Sequence, residues 1–428
     1  MDKVVKRDGR VVDFDGEKIR IAVKKAMDDV GFKYPSFVDC VVCPIEKMDK
    51  DKVTVEEIQD MVEENLMKAK MYDVAKSYIR YRYKREMIRN NDSEIMNKVT
   101  EKLLCKNVQN QNANVDERSF GGRTGEVTRE VMKQYALDHC MNKMAKENHL
   151  SNRIYIHDLD SYAVGMHNCL SVPIDDLLKN GFKTRQTDVR PANSVNTAFQ
   201  LVAVLFQIQS LQQFGGVSAT HIDYSMVPYV RKSFYKHFKD GLKYLEPDDD
   251  FKINDPSEVS IDDDLYVSHQ KAYKYAMDMT NKEVNQAVEG MFHNLNTLQS
   301  RSGNQLPFSS INYGTCTKPE GRMVTKAILE TSIKGLGAKQ RTSVFPCQIF
   351  QCMKGVNLEP GEPNYDLFQL ALKSTAKRLY PNYANVDWSG NAGYDPDDPR
   401  TYFSTMGLVK LVHVKSFEPR PRVWEQSC

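Results

Sequence analysis

Three groups of residues have the types and spacing to do chemistry. Cys169, in the run Met166-His167-Asn168-Cys169, offers a soft, oxidisable sulfur, although a cysteine amid apolar neighbours usually packs as inert core. Lys6 and Arg7 stand at a tight turn and Lys18 near the start of the next helix, where they could hold a polyphosphate by charge-assisted hydrogen bonds and helix N-terminal N–H groups. Basic residues beside a glycine turn are also common on plain surfaces. The pairs His157-Asp158 and His221-Ile222-Asp223 could serve metal or acid–base work, but without further ligands at suggestive spacing they read as hydrogen-bonded structural pairs. Gly121-Gly122-Arg123-Thr124-Gly125 lacks the Gly-Lys-Ser/Thr ending of a phosphate loop and reads as a turn. Cys40-Val41-Val42-Cys43 has no second pair to complete a four-ligand zinc site, so it reads as two half-buried thiols beside Pro44, and no metal is assigned.

The surrounding chain is an ordinary globular one. Its 428 residues and 41% hydrophobic content allow about two to four domains with a sizeable core. A net charge of +2, from 59 basic and 57 acidic residues, supplies no field that would argue for nucleic acid or an anionic membrane. Neither a membrane-spanning run nor a signal peptide is evident, and nine cysteines without a regular framework fit a reducing compartment. The expectation is a cytoplasmic protein.

These residues need elements to hold them. Asp8-Gly9 between valine pairs signals a hairpin with a type I′ turn. Ile19, Ala22, Val23, Ala26, Met27 and Val30 recur at helical spacing; Thr54 and Glu57 form a capping box ahead of the stripe Ile58, Met61, Val62, Leu66 and Ala69. A further helix over residues 73–88 carries Arg80, Arg82, Lys84 and Arg85. Residues 1–90 thus form one block, a hairpin followed by helices, and residues 91–112 a helical or loop connector. From 113 to 407 apolar helices alternate with short strands, the clearest helix spanning 194–213. The acidic stretch 246–264 reads as a solvated surface insertion.

The first block resembles an ATP-cone through Val5-Lys6-Arg7-Asp8-Gly9. Residues 111–407 resemble the anaerobic, class III ribonucleoside-triphosphate reductases. The motifs that carry this second likeness include Asn112-Ala113-Asn114-Val115-Asp116, Tyr155-Ile156-His157-Asp158-Leu159-Asp160, Met166-His167-Asn168-Cys169, Gln213-Phe214-Gly215-Gly216, Asn312-Tyr313-Gly314-Thr315, Phe345-Pro346 and Tyr402-Phe403-Ser404-Thr405-Met406-Gly407. The resemblance implies an α/β fold, an ATP-cone followed by the first half of a ten-stranded α/β barrel of the glycyl-radical type. It also implies anaerobic reduction of ribonucleoside triphosphates to deoxyribonucleotides for DNA synthesis, with a glycyl radical, zinc and formate. By the same resemblance Cys169 matches the second working cysteine, opposite a thiyl cysteine. Lys6, Arg7, Lys18, Thr54 and Arg82, or Lys84, match the cone's nucleotide site for ATP or dATP as allosteric effectors, and Gln200 and Lys232 a second effector site that sets specificity. A homodimer and a radical-SAM activating enzyme are the implied partners besides nucleoside triphosphates.

The likeness stops at Gly407. The thiyl cysteine is expected next, but this position is Leu408, which has no S–H bond. Residues 408–428 alternate like a strand and resemble no part of the family; its zinc pairs and radical glycine have no counterpart here. The expectation is a C-terminally truncated chain, inactive alone, with the missing half possible as a separate polypeptide. The alternative is a non-catalytic ATP- or dNTP-binding fragment of an interrupted or frameshifted gene. A formate-lyase relative fits less well, because the cone is present and an adjacent cysteine pair is not.

Overall fold

The computed structural model describes residues 3–7, 9–104, 119–165, 169–184, 186–248, 250–299, 304–387, 395, 397–402 and 409–411. They fall into two compact units, Met1–Thr100 and Glu101–Cys428.

In the first unit β1 (Lys3–Val5) pairs antiparallel with β2 (Val11–Asp13). The hairpin is there, but its connection is wider than a two-residue turn. Lys6 N–H donates to Arg10 O at 2.8 Å, and Gly9 takes φ +83°, a conformation open to glycine at no steric cost. Asp8 lies outside the described residues. Next come α1 (Gly16–Asp29), α2 (Phe37–Glu46), β3 (Lys52–Thr54), α3 (Val55–Lys68) and α4 (Tyr72–Leu104). Strand β3 adds parallel to β1, completing a three-stranded sheet. The apolar spacing of α1 buries Ile19, Val23, Ala26 and Met27, and that of α3 buries Ile58, Val62 and Leu66. Helix α4 buries Val74, Ala75 and Tyr78 in the same core, then continues to Leu104 through the first part of the expected connector.

The second unit opens with α5 (Phe120–Tyr135) and α6 (Lys143–Leu150). The glycine run expected as a turn is instead the start of α5. Ser119 caps it by accepting the Gly122 N–H at 2.9 Å and also binds Asn304, whose side chain lies where a Cβ on Gly121 would sit. Glycine here serves close packing. The chain proceeds through β4 (Cys169–Ser171), α7 (Ile174–Asn180), β5 (Phe182–Lys183), β6 (Asp188–Val189), α8 (Val195–Ser210), β7 (Val217–Ala219), α9 (Ile222–Ser225), α10 (Val227–Leu245), α11 (Asp264–Val267), α12 (Gln270–Thr297), β8 (Ser309–Tyr313), α13 (Pro319–Lys334), β9 (Cys347–Cys352), α14 (Tyr365–Arg378), β10 (Asn382–Asn385) and β11 (Val409–Leu411).

Six of these strands form one all-parallel sheet in the order β10-β9-β8-β7-β4-β11. From β4 to β10 they add in chain order with helices between, the layout expected of a partial α/β barrel. Successive strand residues point to opposite faces. One face, with Val217, Ala219, Ile311, Tyr313, Phe350 and Cys352, joins residues of α8, α12, α13 and α14 in the main core.

The acidic stretch is not merely solvated. Phe251, Ile253 and Val259 pack against a satellite core of Phe234, Phe238, Leu242, Ile261, Tyr266, Ala272 and Ala276. Its acidic residues cap local structure: Glu246 accepts the Lys271 N–H, Asp263 accepts the Leu265 N–H, and Asp248 pairs with His269. Beneath it lies a buried ion pair, Arg231 Nε to Glu320 Oε1 at 2.7 Å. The stretch supplies Ser257 O to Arg231 and the Ile261 N–H to Glu320. Removing one partner leaves an uncompensated charge in the core, so Glu320→Ala should cost about 3–5 kcal/mol, read by urea denaturation of the chain. A loss below about 1 kcal/mol would mean that Arg231 is not left uncompensated in the core, as for an exposed pair.

Candidate functional site

Two places collect polar side chains of the kinds that the sequence singled out. In the first unit the register Val5↔Thr54 sets the ends of parallel strands β1 and β3 side by side. Lys6 and Arg7 therefore emerge next to the N-terminus of α3, where free N–H groups and the positive end of the helix dipole favour an anion. Thr54 is engaged in its own helix cap: its hydroxyl accepts the Glu57 N–H at 3.2 Å, and Glu57 accepts the Thr54 N–H at 2.8 Å. Arg7 donates to Glu56 at 2.5 Å and to Gln59 at 2.9 Å. Arg82, arriving on α4, donates to the other Glu56 oxygen at 2.7 Å, to Asp60 at 2.6 Å and to Glu63 at 2.8 Å.

Glu56 thus joins the two arginines. Burial alone would raise its carboxyl, but the hydrogen bonds from Arg82 and Arg7 outweigh that and hold it below the ordinary value. Burial also pushes the nearby Tyr78 hydroxyl up to about 12, with the Glu63 charge adding to it. Lys18 pairs instead with Asp15 at 3.2 Å in the first turn of α1. Because β2 ends opposite Lys3, α1 begins at the other end of the small sheet from Lys6.

The second place is the sheet face opposite the helices. Registers Ser171↔Ser218, Ser218↔Ser310 and Ser310↔Cys347 put three hydroxyls and a thiol in one row across four strands. Cys169, two residues before Ser171, shares that face, as do Asn312 and Gln351. The serines, Asn312 and Gln351 are buried; Cys169 and Cys347 are half-buried. Ser310 donates to Ser218 at 2.9 Å, and Cys347 Sγ lies 3.3 Å from Tyr380 Oη. Burial pushes the Cys316 thiol up to about 12 and that of Cys352 to about 11, and it raises Cys347 too, so these are poor nucleophiles. Hydroxyls, amides and two half-buried sulfurs on a dry face can orient a small polyhydroxylated molecule by hydrogen bonds.

The remaining candidates are dispersed. Gln200 is exposed on α8 and Lys232 lies over the Tyr229 ring on α10, 5.4 Å from its centroid; no hydrogen bond joins the two among the described residues. Leu408 and the run Met166-His167-Asn168 lie outside the described residues. His157 pairs with Asp158 at 2.7 Å as a neighbour would, whereas His221 pairs with Asp175 at 3.0 Å rather than with Asp223. Asp223 is fully buried and accepts the N–H groups of Gly314 and Cys316, a structural task. Cys40 and Cys43 sit on α2, and no cluster of three or more metal-ligating side chains occurs among the described residues. No described helix is long and apolar enough to cross a membrane. The serine row went unrecognised in the sequence. Its trace is the alternation in Val217-Ser218-Ala219-Thr220, visible only once the strands are aligned.

A family model described as anaerobic ribonucleoside-triphosphate reductase matches residues 111–407, and one described as ATP cone domain matches residues 2–87. The chain is 31% identical over 392 residues to the anaerobic ribonucleoside-triphosphate reductase of Haemophilus influenzae, covering 90% of this chain and 52% of that protein. To the protein of the same name from Enterobacteria phage T4 it is 33% identical over 278 residues, covering 65% and 42%. A crystal structure of the anaerobic ribonucleotide reductase from Thermotoga maritima in complex with dATP and CTP aligns with TM-score 0.46 at 13% identity, covering 72% of this chain and 50% of that one. The chain spans about half the length of the curated relatives it matches.

Glu56 gives the first place a pH signature. Its folded value lies below the ordinary 4.5, so its bonds to the arginines contribute stability above that pH and lose it as pH falls through the folded value. Melting of the N-terminal unit should therefore weaken below about pH 4.5. Arg82→Met should make that decline shallower; an unchanged slope would show that the bonds from Arg82 to its carboxylates contribute nothing.

Proposed function

The chain belongs to the anaerobic ribonucleoside-triphosphate reductase family, with an ATP-cone domain ahead of the reductase region, and on that premise we propose how its two polar sites are used. Residues 113–407 form the first part of a reductase barrel, and its polar face receives the ribose of a ribonucleoside triphosphate. The observation that carries this reading is Cys169 beside the buried serine row. A ribose presents hydroxyls that such a row can orient, and the radical reduction needs an oxidisable sulfur at the sugar, shielded from water. Cys169 is that sulfur, with formate as the eventual reductant.

The thiyl radical must arise elsewhere, because the position matching its cysteine is Leu408. We therefore read this chain as a nucleotide-binding part of a reductase that does not turn over by itself. The thiyl cysteine that Leu408 replaces would be supplied by a separate polypeptide, and the glycyl radical from which it takes its spin would be generated by a radical-SAM enzyme. The alternative, a fragment of an interrupted gene that only binds nucleotide, shares the binding sites and differs in having no such partner.

In the cone (residues 1–90), Lys6 and Arg7 hold the phosphates of ATP or dATP at the start of α3. Lys6 is the available cation, since no ion pair engages its side chain among the described residues. Arg7 must first leave Glu56, so Glu56 competes with the phosphates for it. Thr54 and Arg82 act at the margins of this site, whereas Lys18, paired with Asp15 at the other end of the small sheet, stands apart from it; Gln200 and Lys232 contribute to a second effector site between the helices of a homodimer. A cytoplasmic location fits such a role.

Binding measurements separate these roles. By isothermal titration calorimetry, Arg7→Ala should weaken ATP binding about tenfold or more, and Glu56→Gln should strengthen it about threefold by releasing Arg7. Undetectable ATP binding to the unaltered chain would refute the cone assignment. With ATP, formate and a radical-SAM activating enzyme, the chain alone should give no glycyl-radical signal by electron paramagnetic resonance; a signal would show that it carries its own radical site.

A further inference from the structure

The segment between α8 and β7 ends in Gln213-Phe214-Gly215-Gly216, and it meets Cys169 through a backbone amide. Gly216 N–H donates to Cys169 Sγ at 3.2 Å. The peptide that carries this N–H also carries the Gly215 carbonyl, which accepts from Gln213 Nε2 at 3.3 Å. The same Nε2 donates to Gly216 O at 2.7 Å, a carbonyl that also takes the Leu170 N–H at 3.0 Å. Gln213 is buried, and its Oε1 accepts from Gln209 Nε2 at 2.8 Å, so its amide is held from α8.

Two consecutive glycines leave their peptide planes free to rotate, because no side chain restricts them. A donor bonded to both carbonyls removes that freedom and aims the Gly216 N–H at the sulfur. Hydrogen bonding at a peptide carbonyl also polarises the N–H of the same peptide and strengthens it as a donor. We propose that Gln213 is a positioning residue for Cys169, acting through the Gly215–Gly216 peptide to fix the sulfur and stabilise negative charge on it. Gln209 supports it from one helical turn back.

This inference rests on reading Cys169 as the working sulfur at the sugar, but its test does not depend on turnover. In the full chain, the rate of iodoacetamide alkylation at Cys169 is followed by peptide mass spectrometry, with exposed Cys40 as internal reference. Gln213→Met keeps the length and removes both donors. It should slow Cys169 about threefold or more relative to Cys40, since an N–H donor that favours the reactive thiolate is lost. A merely structural role predicts the opposite sign, because a loosened segment exposes the sulfur and speeds its reaction. Gln209→Met should slow it less, in the same direction, and carries the test if Gln213→Met does not fold. An unchanged or faster rate overturns the positioning role while leaving the reading of Cys169 intact. Failure of ribonucleotide binding would overturn that reading without altering the alkylation result.

Discussion

The parallel register of the large sheet is the constraint on which the rest depends. It aligns Ser171, Ser218, Ser310 and Cys347 on one face and commits Val217, Ile311 and Phe350 to the other. Because side chains alternate with period two, a slip of one residue in any strand would drive serines into the helical layer and apolar residues onto the polar face. The apolar face thus fixes the register through burial, and the polar row comes with it at no separate cost. A site made this way inherits the rigidity of the core behind it.

The two units arrange their polar groups by different physics. In the cone, charges gather around the start of one helix, and Glu56 bridges Arg7 and the more covered Arg82 from a half-exposed position where solvent still screens it. In the sheet, neutral hydroxyls, amides and a thiol are set on a face from which water is largely removed, where each hydrogen bond counts for more. The first suits a highly charged ligand whose binding responds to concentration. The second suits a molecule that must be oriented.

Much of the fold was legible because it is local. Thr54 with Glu57, and the stripes of α1 and α3, announce their elements within one or two turns. The glycine run at 121 misled because its glycines answer to Asn304, far along the chain, rather than to a local turn. The acidic stretch misled because its charges hide Phe251, Ile253, Val259 and Ile261, whose burial depends on α10 and α12. Sites were harder still. Arg7 finds Glu56 across 49 positions and Gly216 finds Cys169 across 47, and no periodicity reports such meetings. Resemblance named Cys169; only the aligned strands show what surrounds it.

Strand β11 gives the sheet one more property. It lies parallel to β4, with Val409 registered on Cys169 and Leu411 on Ser171, so β4 has a neighbour on each side and its backbone groups are paired on both. Any other strand that would join β4 must first evict residues 409–411. Access to the Cys169 strand from that side is therefore a strand-exchange equilibrium, governed by how tightly three residues hold on rather than by an open edge waiting to be filled.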